Sequence, residues 1–392
     1  MRVQTQRTVD NYVGRLGIAL LRPTAMLLGV VLRRDHQLRV GKEVVWMKML
    51  GGGSLLLAMP ALLGFRRTHP NTRMVLITTP SVKPFAELTG VFDEYRIVNN
   101  RGVLRMLWTA TVALFRTMRA DCIIDLEVHS RLTTVFTTLT MARNRVSFWL
   151  EDIFWRKGLA SHLIFFNRSS GSFHFYDRIA DLFGVPVASH AECRDSLLNA
   201  IGLGEMPARA SDRVAIGFAC SELGRERMLT PAEWAKAFRE HVRAEHQRFV
   251  LLGGPSDRAD GEAIVAELRR VFPQLDIVNR CGELSLRDSV RELLACGEFW
   301  GIDSSLLHIG RIASLRSISY WGPTDPATRL RNDWVVDETT HYQKIACSPC
   351  VHTSEEPPCG GDNRCIKGLF EPGVTAPDWT PIAYPKRRTK VS

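Results

Sequence analysis

The chain has 392 residues, 45% of them hydrophobic, and a formal net charge of +10. That length and apolar content exclude wholesale disorder and allow two domains with sizeable cores. The positive balance favours anionic partners such as nucleotides, phosphorylated sugars or an acidic lipid surface. Nucleic acid is disfavoured, because aromatic and basic residues do not alternate and no nucleic-acid motif occurs.

Residues 16–32, LGIALLRPTAMLLGVVL, form the only long apolar stretch. Arg22 and Pro23 interrupt it and Arg33 and Arg34 follow, so it falls short of the roughly 20 continuous apolar residues of a membrane span. No small-residue cleavage site follows, and no cleavable leader is expected. Two readings fit: an interfacial helix with cationic flanks on anionic lipid, or an N-terminal helix packed on its domain. Nine cysteines in a long chain without a leader are expected in a reducing cytoplasm, peripheral on the inner face of the cytoplasmic membrane under the first reading.

EVVWMKM (43–49) reads as a buried strand running into Gly51, Gly52 and Gly53, with an apolar helix from Ser54 to Arg67. Strands are expected at 72–80, 95–99 and 121–129, with helices near 102–119, 131–142 and 174–201. LGEMPARASD (203–212) reads as a linker, after which the pattern restarts. Strands are expected at 213–219, 248–254, 275–282, 297–304 and 316–322, and helices at 231–242, 257–271, 286–295 and 305–314. Strands alternating with helices imply parallel sheets in βαβ units. The expected fold is α/β, two Rossmann-like doubly wound domains facing across a cleft, with ligands at the C-terminal strand edges. The expected boundaries are 1–40 for the apolar and basic segment, 41–205 and 206–345 for the domains, and 346–392 for a tail.

FWGIDSSLLHIGRIASLRSISYWGPTDP (299–326) concentrates chemistry. Asp303 ends a strand, and Ser304 and Ser305 are N-cap types for the next helix. A helix start offers free N–H groups and a positive dipole end, which suits a diphosphate. His308, one turn in, and Thr324, after the next strand, can donate to the same group. An ordinary capped helix with an incidental histidine fits the same residues. Gly253 and Gly254, after RFVLL, allow close backbone approach to a nucleotide, and Asp257 and Glu283 are candidates for ribose or base; both acids also read as solvated.

Asp125 and Glu127, at the end of DCIIDLEVH, point to one side by strand alternation and are the candidate general bases, Glu127 lying nearer the edge. A strand-end cap or ion pair also explains Asp125. His129 and His174 are lesser candidates. Cys347, Cys350, Cys359 and Cys365 give Cys-x2-Cys-x8-Cys-x5-Cys, compatible with a structural tetrahedral zinc, although reduced thiols or one local disulfide fit as well. KRRTK (386–390) is a basic end that can meet lipid.

The order Asp-x4-His at a helix start, apolar helix, strand and Gly-Pro-Thr resembles the donor-binding signature of glycosyltransferase family 9, the lipopolysaccharide heptosyltransferases. VVWMKMLGGGSLLLAMPALLGFRRTHPNTRMVLIT, VLLGGPSDRADGEAI and ELSLRDSVRELLACGEFWGIDSSLLHIG are similar to further family segments, and CSPCVH…CGGDNRCIKGL to a cysteine-bearing tail. The resemblance covers residues 43–370. It implies the GT-B fold, with donor in the C-terminal domain and acceptor in the N-terminal one. It implies an inverting transferase moving heptose or a similar sugar from a nucleotide-diphosphate donor to a cell-envelope glycan or lipopolysaccharide-core acceptor. Asp-x-Asp is absent, so no catalytic metal is expected, and helix amides, His308, Thr324 and an arginine must meet the leaving charge. Arg225 or Arg227 falls near the family's phosphate-binding lysine. Ser54 stands where the family's Asp follows the glycine turn. A hydroxyl is a poor base without a partner, so Gly52 and Gly53 are left to orient an anion or acceptor through their amides. The alternatives are a non-catalytic sugar-nucleotide or glycan binder of the same fold, and a sugar-nucleotide epimerase-like enzyme.

Overall fold

The computed structural model describes residues 3–32, 37–118, 120–150, 155–167, 169–220, 222–351 and 357–375. The basic KRRTK end and the arginines at 33–34 lie outside these. The chain divides into two compact units at Gly202/Leu203.

The first unit contains α1 (Val3–Leu32), β1 (Glu43–Lys48), α2 (Gly53–Thr68), β2 (Arg73–Thr78), α3 (Lys83–Glu87), β3 (Glu94–Ile97) and α4 (Val103–Thr117). It continues with β4 (Cys122–Asp125), α5 (Arg131–Leu139), β5 (Asn144–Trp149), β6 (His162–Phe165), α6 (Ser172–Leu182) and α7 (His190–Ala200). The strands form one sheet in the order β3-β2-β1-β4-β5-β6, all pairs parallel. Parallel sheets are covered on both faces, so their strands are apolar at successive positions. Val44 and Trp46 of β1 pack with α2 and α6, whereas Val45 and Met47 pack with Met106, Ala110 and Ala113 of α4 and Phe136 of α5.

The second unit contains β7 (Ala210–Gly217), α8 (Pro231–His241), β8 (Arg248–Leu251), α9 (Arg258–Val271), β9 (Asp276–Asn279) and α10 (Leu286–Leu294). Then come β10 (Cys296–Ile302), α11 (Ser305–Ile312), β11 (Arg316–Trp321), β12 (Glu338–Tyr342) and the short α12 (Arg364–Lys367). Its parallel sheet runs β12-β11-β10-β7-β8-β9. Cys365 and Ile366 pack into this unit's core with Trp234 and Phe238 of α8.

Several elements differ from the sequence expectations. The helix expected at 174–201 is two helices. Gly184 takes a left-handed φ of +65° and ends α6, and α7 restarts at a capping box in which Ser189 and Glu192 exchange bonds. β5, β6 and β12 were not expected. β6 and β12 are polar or half-buried edge strands, where the apolar signal is weakest. α1 extends over the whole of Val3–Leu32 and packs within the first unit: Gly14 and Gly17 lie against Arg131 and Val135 of α5, and Asp10 accepts from the Ser130 hydroxyl and the Arg131 and Leu132 amides.

Arg156 is fully buried. It donates to Asp125, Thr134, Ser147 and the carbonyls of Glu127, Phe148 and Ser130. Removing one partner of a buried pair leaves an uncompensated charge and costs about 3–5 kcal/mol. Arg156→Met is therefore expected to lower the urea midpoint by a shift of that size. Combining it with Asp125→Asn is expected to recover part of the loss. An additive double variant would show that the two groups are not coupled.

Candidate functional site

In each sheet the first strand lies between the second and the fourth, so the loops leaving the first and fourth strands diverge and open a crevice at their C-terminal ends. In the second unit those strands are β7 and β10. Gly217 and Gly301 face each other in register there. A Cβ on either would stand about 2.5 Å from the Phe299 ring, so both must be glycine for the strands to sit as they do.

Beyond β10, Asp303 is 4% exposed. Arg227, from the turn Glu222–Arg227 after β7, donates through Nη1 to Asp303 Oδ2 at 3.1 Å and to its carbonyl at 2.9 Å. Burial opposes charge on Asp303, but Arg227 and Arg329 outweigh it and hold its pKa below the usual carboxylate value. Ser304 occupies the N-cap of α11, yet its hydroxyl does not bond the helix. Ser304 Oγ, Thr324 Oγ1, Arg227 Nε and Arg329 Nε are all buried without a hydrogen-bond partner. Thr324 stands beside the Asp303 carboxylate but outside hydrogen-bond geometry. Buried polar groups are rarely left unpaired. Two hydroxyls, two guanidinium N–H groups and the first amides of an eight-residue helix make a set of donors suited to an anion. Ser305 is the first residue of that helix.

His308 Nε2 lies 3.8 Å from Asp303 Oδ1. Burial lowers its pKa to about 4, so the ring is neutral near neutrality. Because its folded pKa is depressed, its contribution to stability is complete above the unfolded value near 6.5 and is lost as pH falls toward about 4. At 1.36 kcal/mol per unit, the wild type is expected to lose up to about 3 kcal/mol more than His308→Gln between about pH 7 and about pH 4 in denaturant titrations. Parallel stability curves for the two proteins would contradict the assignment.

The other candidates of this unit lie elsewhere. Arg225 pairs with Asp260 at 2.6 Å on the surface, so of the two arginines only Arg227 joins the donor cluster. Asp257 Oδ2 accepts from the Gly254 amide at 2.8 Å, which closes its own turn. Gly253 is backed against Cys281. Glu283 forms ion pairs with Arg258 at 3.2 Å and Arg280 at 3.5 Å. Arg329 was missed because it lies beyond β11 in TDPATRLRN, where no local pattern singles it out. Gly217 and Gly301 carried a signal, a glycine inside an apolar strand.

In the first unit the equivalent crevice lies between the ends of β1 and β4. Glu127 Oε1 accepts from the Met49 amide at 2.7 Å and the Leu50 amide at 2.8 Å, and Lys48 Nζ stands 3.4 Å from the same oxygen. Burial opposes charge on Lys48, but Glu127 outweighs it and holds the ammonium pKa above its ordinary value. Asp125 is enclosed by Arg156 at 3.2 Å, the Thr133 hydroxyl at 2.8 Å and the Glu127 amide at 2.9 Å. Burial pushes its pKa up to about 6 despite Arg156. With its oxygens so occupied, Asp125 is placed to fix the loop rather than to meet a ligand. Ser54 donates to the Gly51 carbonyl at 2.5 Å, within its own turn. A Cβ on Gly52 would stand 2.2 Å from the Phe85 ring, so Gly52 serves close packing, and Gly53 opens α2. His174 is exposed.

Cys350 and Cys365 are buried, and Cys347 and Cys359 are partly exposed. Burial, followed by the neighbouring thiols, pushes Cys350 up to about 11 and Cys365 up to about 12. The thiols are near enough to raise one another's pKa, so the four stand together in the tail.

Residues 211–359 match the model of glycosyltransferase family 9 (heptosyltransferase). Over that stretch the chain is similar to a family 9 glycosyltransferase domain. No curated protein sequence matches the chain. Among solved structures, the family 9 glycosyltransferase of Veillonella parvula DSM 2008 is 14% identical, with a TM-score of 0.58 over 78% of this chain and 87% of its own. E. coli heptosyltransferase WaaC with ADP is 14% identical, with a TM-score of 0.57 over 76% and 92%. E. coli ADP-heptose lipopolysaccharide heptosyltransferase II is 15% identical, with a TM-score of 0.57 over 79% and 95%. At such identity the likeness establishes the fold alone, two doubly wound units of the GT-B type.

Proposed function

We propose that this glycosyltransferase is an inverting, metal-independent enzyme. It moves heptose or a similar sugar from a nucleotide-diphosphate donor to a cell-envelope glycan or lipopolysaccharide-core acceptor. The observation that carries the reading is the cluster of unpartnered donors at the β7/β10 crevice: Arg227, Arg329, Ser304 and Thr324 beside the start of α11. A diphosphate satisfies them. The charge that develops on the leaving diphosphate is met by fixed cations and amides, which stabilise it without reorganising. The likeness to structures holding ADP and ADP-2-deoxy-2-fluoro heptose favours an adenine nucleotide. Asp303 acts through Arg227, which it orients, rather than by touching the phosphates.

The first unit takes the acceptor. Both amide bonds and the Lys48 contact fall on Glu127 Oε1, which leaves Oε2 to accept the acceptor hydroxyl's proton. Ser54 and Asp125 support the turn and the loop around it. Hydrogen bonds to a charged group are worth about 1.5–3 kcal/mol, or roughly 10- to 150-fold in affinity. Calorimetry is expected to show ADP binding weakened by about that factor in Arg227→Met and by less than about twofold in Arg225→Met. Glu127→Gln keeps an acceptor oxygen for the two amides. It is expected to bind ADP normally while transfer from ADP-heptose falls more than about 100-fold. Normal transfer by that variant removes the base assignment. Nucleotide binding without any transfer by the wild type favours the non-catalytic reading.

A lipid-borne acceptor implies work at the cytoplasmic membrane face. No helix among the described residues is long and apolar enough to cross a membrane. α1 packs on α5 by one side and exposes Val13, Leu16, Leu20, Leu27 and Val31 on another, with Arg15 and Arg22 in the same helix. α4, on the same side of the sheet as α5, exposes Leu104 (84%) and Trp108 (70%), with Arg105 and Arg116 beside them. Exposed apolar residues with cationic neighbours suit an anionic bilayer surface. Phosphatidylglycerol-containing vesicles are expected to sediment the protein, and pure phosphatidylcholine vesicles much less. Leu16→Ser/Leu20→Ser is expected to reduce binding about tenfold. Equal sedimentation of both proteins would assign α1 a packing role alone.

A further inference from the structure

The second unit carries a side-chain cluster that the transfer chemistry does not use. α8 ends in Glu240 and His241, and His341 projects from β12, the edge strand of the sheet. One ligand atom from each of the three lies within 4.8 Å of the other two, and among the described residues no other trio of histidine, cysteine or acidic side chains does so. His241 Nε2 is 3.8 Å from Glu240 Oε1, and the two imidazole centroids are 4.8 Å apart. His341 stacks on Tyr320 at 4.9 Å and 14°, which fixes its plane.

The Nε2 atoms of both histidines are buried and have no hydrogen-bond partner, and neither has the buried hydroxyl of Tyr320, on whose ring His341 stacks. Three unsatisfied polar atoms in one place call for a common explanation. The charged groups around the pair are Glu240, with Glu298 and Arg243 farther out. The nearest is an anion, which suits a cation held between the rings.

We propose that Glu240, His241 and His341 form a site for a divalent first-row transition metal of the zinc, cobalt or nickel type, tying the end of α8 to the edge strand β12. Two imidazoles and a carboxylate suit such borderline ions better than magnesium or calcium. Bonds of about 2.0–2.2 Å in tetrahedral geometry bring the ligand atoms about 1 Å closer than they stand. Glu240 is half exposed and free to swing inward. Water completes the coordination. The site is structural: among the described residues β12 pairs with β11 alone, and a metal staple at His341 fastens an edge that backbone hydrogen bonds hold on one side.

The test uses the full chain, stripped with chelator and dialysed against cobalt(II). The wild type is expected to bind one more equivalent than His341→Phe, which keeps the stack on Tyr320 but loses the ligand. The wild-type-minus-variant spectrum is expected to show visible d–d bands without a thiolate charge-transfer band, which separates this ion from any held by Cys347, Cys350, Cys359 and Cys365. Glu240→Gln, a surface change that leaves packing intact, is expected to weaken the same equivalent about tenfold. It keeps the test valid should His341→Phe fail to fold. Zinc is expected to raise the melting temperature of the wild type more than that of either variant. Equal metal content and affinity in the wild type and the folded variants overturn the proposal, as does a difference spectrum dominated by sulfur ligation.

Discussion

The constraint on which the functional edges depend is how each doubly wound sheet satisfies the backbone and charges where its first and fourth strands end. Both units solve it with an acid placed just beyond the fourth strand, and the two solutions differ in what they leave over. In the first unit Glu127 reaches across to the amides of Met49 and Leu50, so the loop after β1 is internally satisfied. In the second, Asp303 takes Arg227 and leaves Ser304 Oγ, Thr324 Oγ1 and two guanidinium N–H groups without partners. A loop whose polar groups are paired is a finished surface. One with buried donors unpaired is unfavourable until an acceptor arrives. The difference between the edges is thus a difference in hydrogen-bond satisfaction, and it points to an anion at the second.

Glu127 in turn depends on a charge buried behind it. Arg156 donates to the carbonyls of Glu127 and Ser130 as well as to Asp125, so it clamps the whole stretch from the end of β4 to the start of α5. Asp125 completes the clamp through the Glu127 amide and the Thr133 hydroxyl. A buried ion pair of this kind adds little net stability. Its contribution is geometric, because a carboxylate that must meet two amides at hydrogen-bond distance needs a backbone that does not drift.

Much of the fold was legible in the sequence, for a physical reason. Strands buried on both faces write continuous apolar runs, so EVVWMK, RMVLIT and RFVLL announce themselves, and glycine turns and N-cap serines mark the helices that come after them. The ends of the sheets were harder to read: β6 and β12 are half-exposed and polar, and a polar strand resembles a loop. The split between α6 and α7 was written in Gly184 and Pro186 but overridden by helical residues on either side. At the candidate site, Asp303, Ser304, Ser305 and His308 could be singled out because they lie within six positions, and Thr324 because Gly-Pro-Thr closes the next strand. Arg329 was not, since only the return of the chain after β11 brings it near Asp303. Nor did spacing reveal that Glu240 and His241 meet His341 a hundred residues later, which is a property of the fold alone.

The choice between Arg225 and Arg227 shows what local sequence lacks. The two residues have the same chemistry and stand two positions apart, so composition gives no reason to prefer either. The backbone decides at Gly224, which interrupts the helical turn with φ −145° and ψ 22°. A Cβ at Gly224 would lie 2.2 Å from the Arg227 guanidinium. That guanidinium folds back over the bare glycine and is pinned by Asp303, while Arg225, on the other side of the turn, reaches out to Asp260. A side chain at Gly224 would have to move a group that has little room to yield, because its two bonds to Asp303 fix it. The glycine therefore belongs to the proposed anion site although it offers nothing to an anion itself. It selects which arginine faces the crevice.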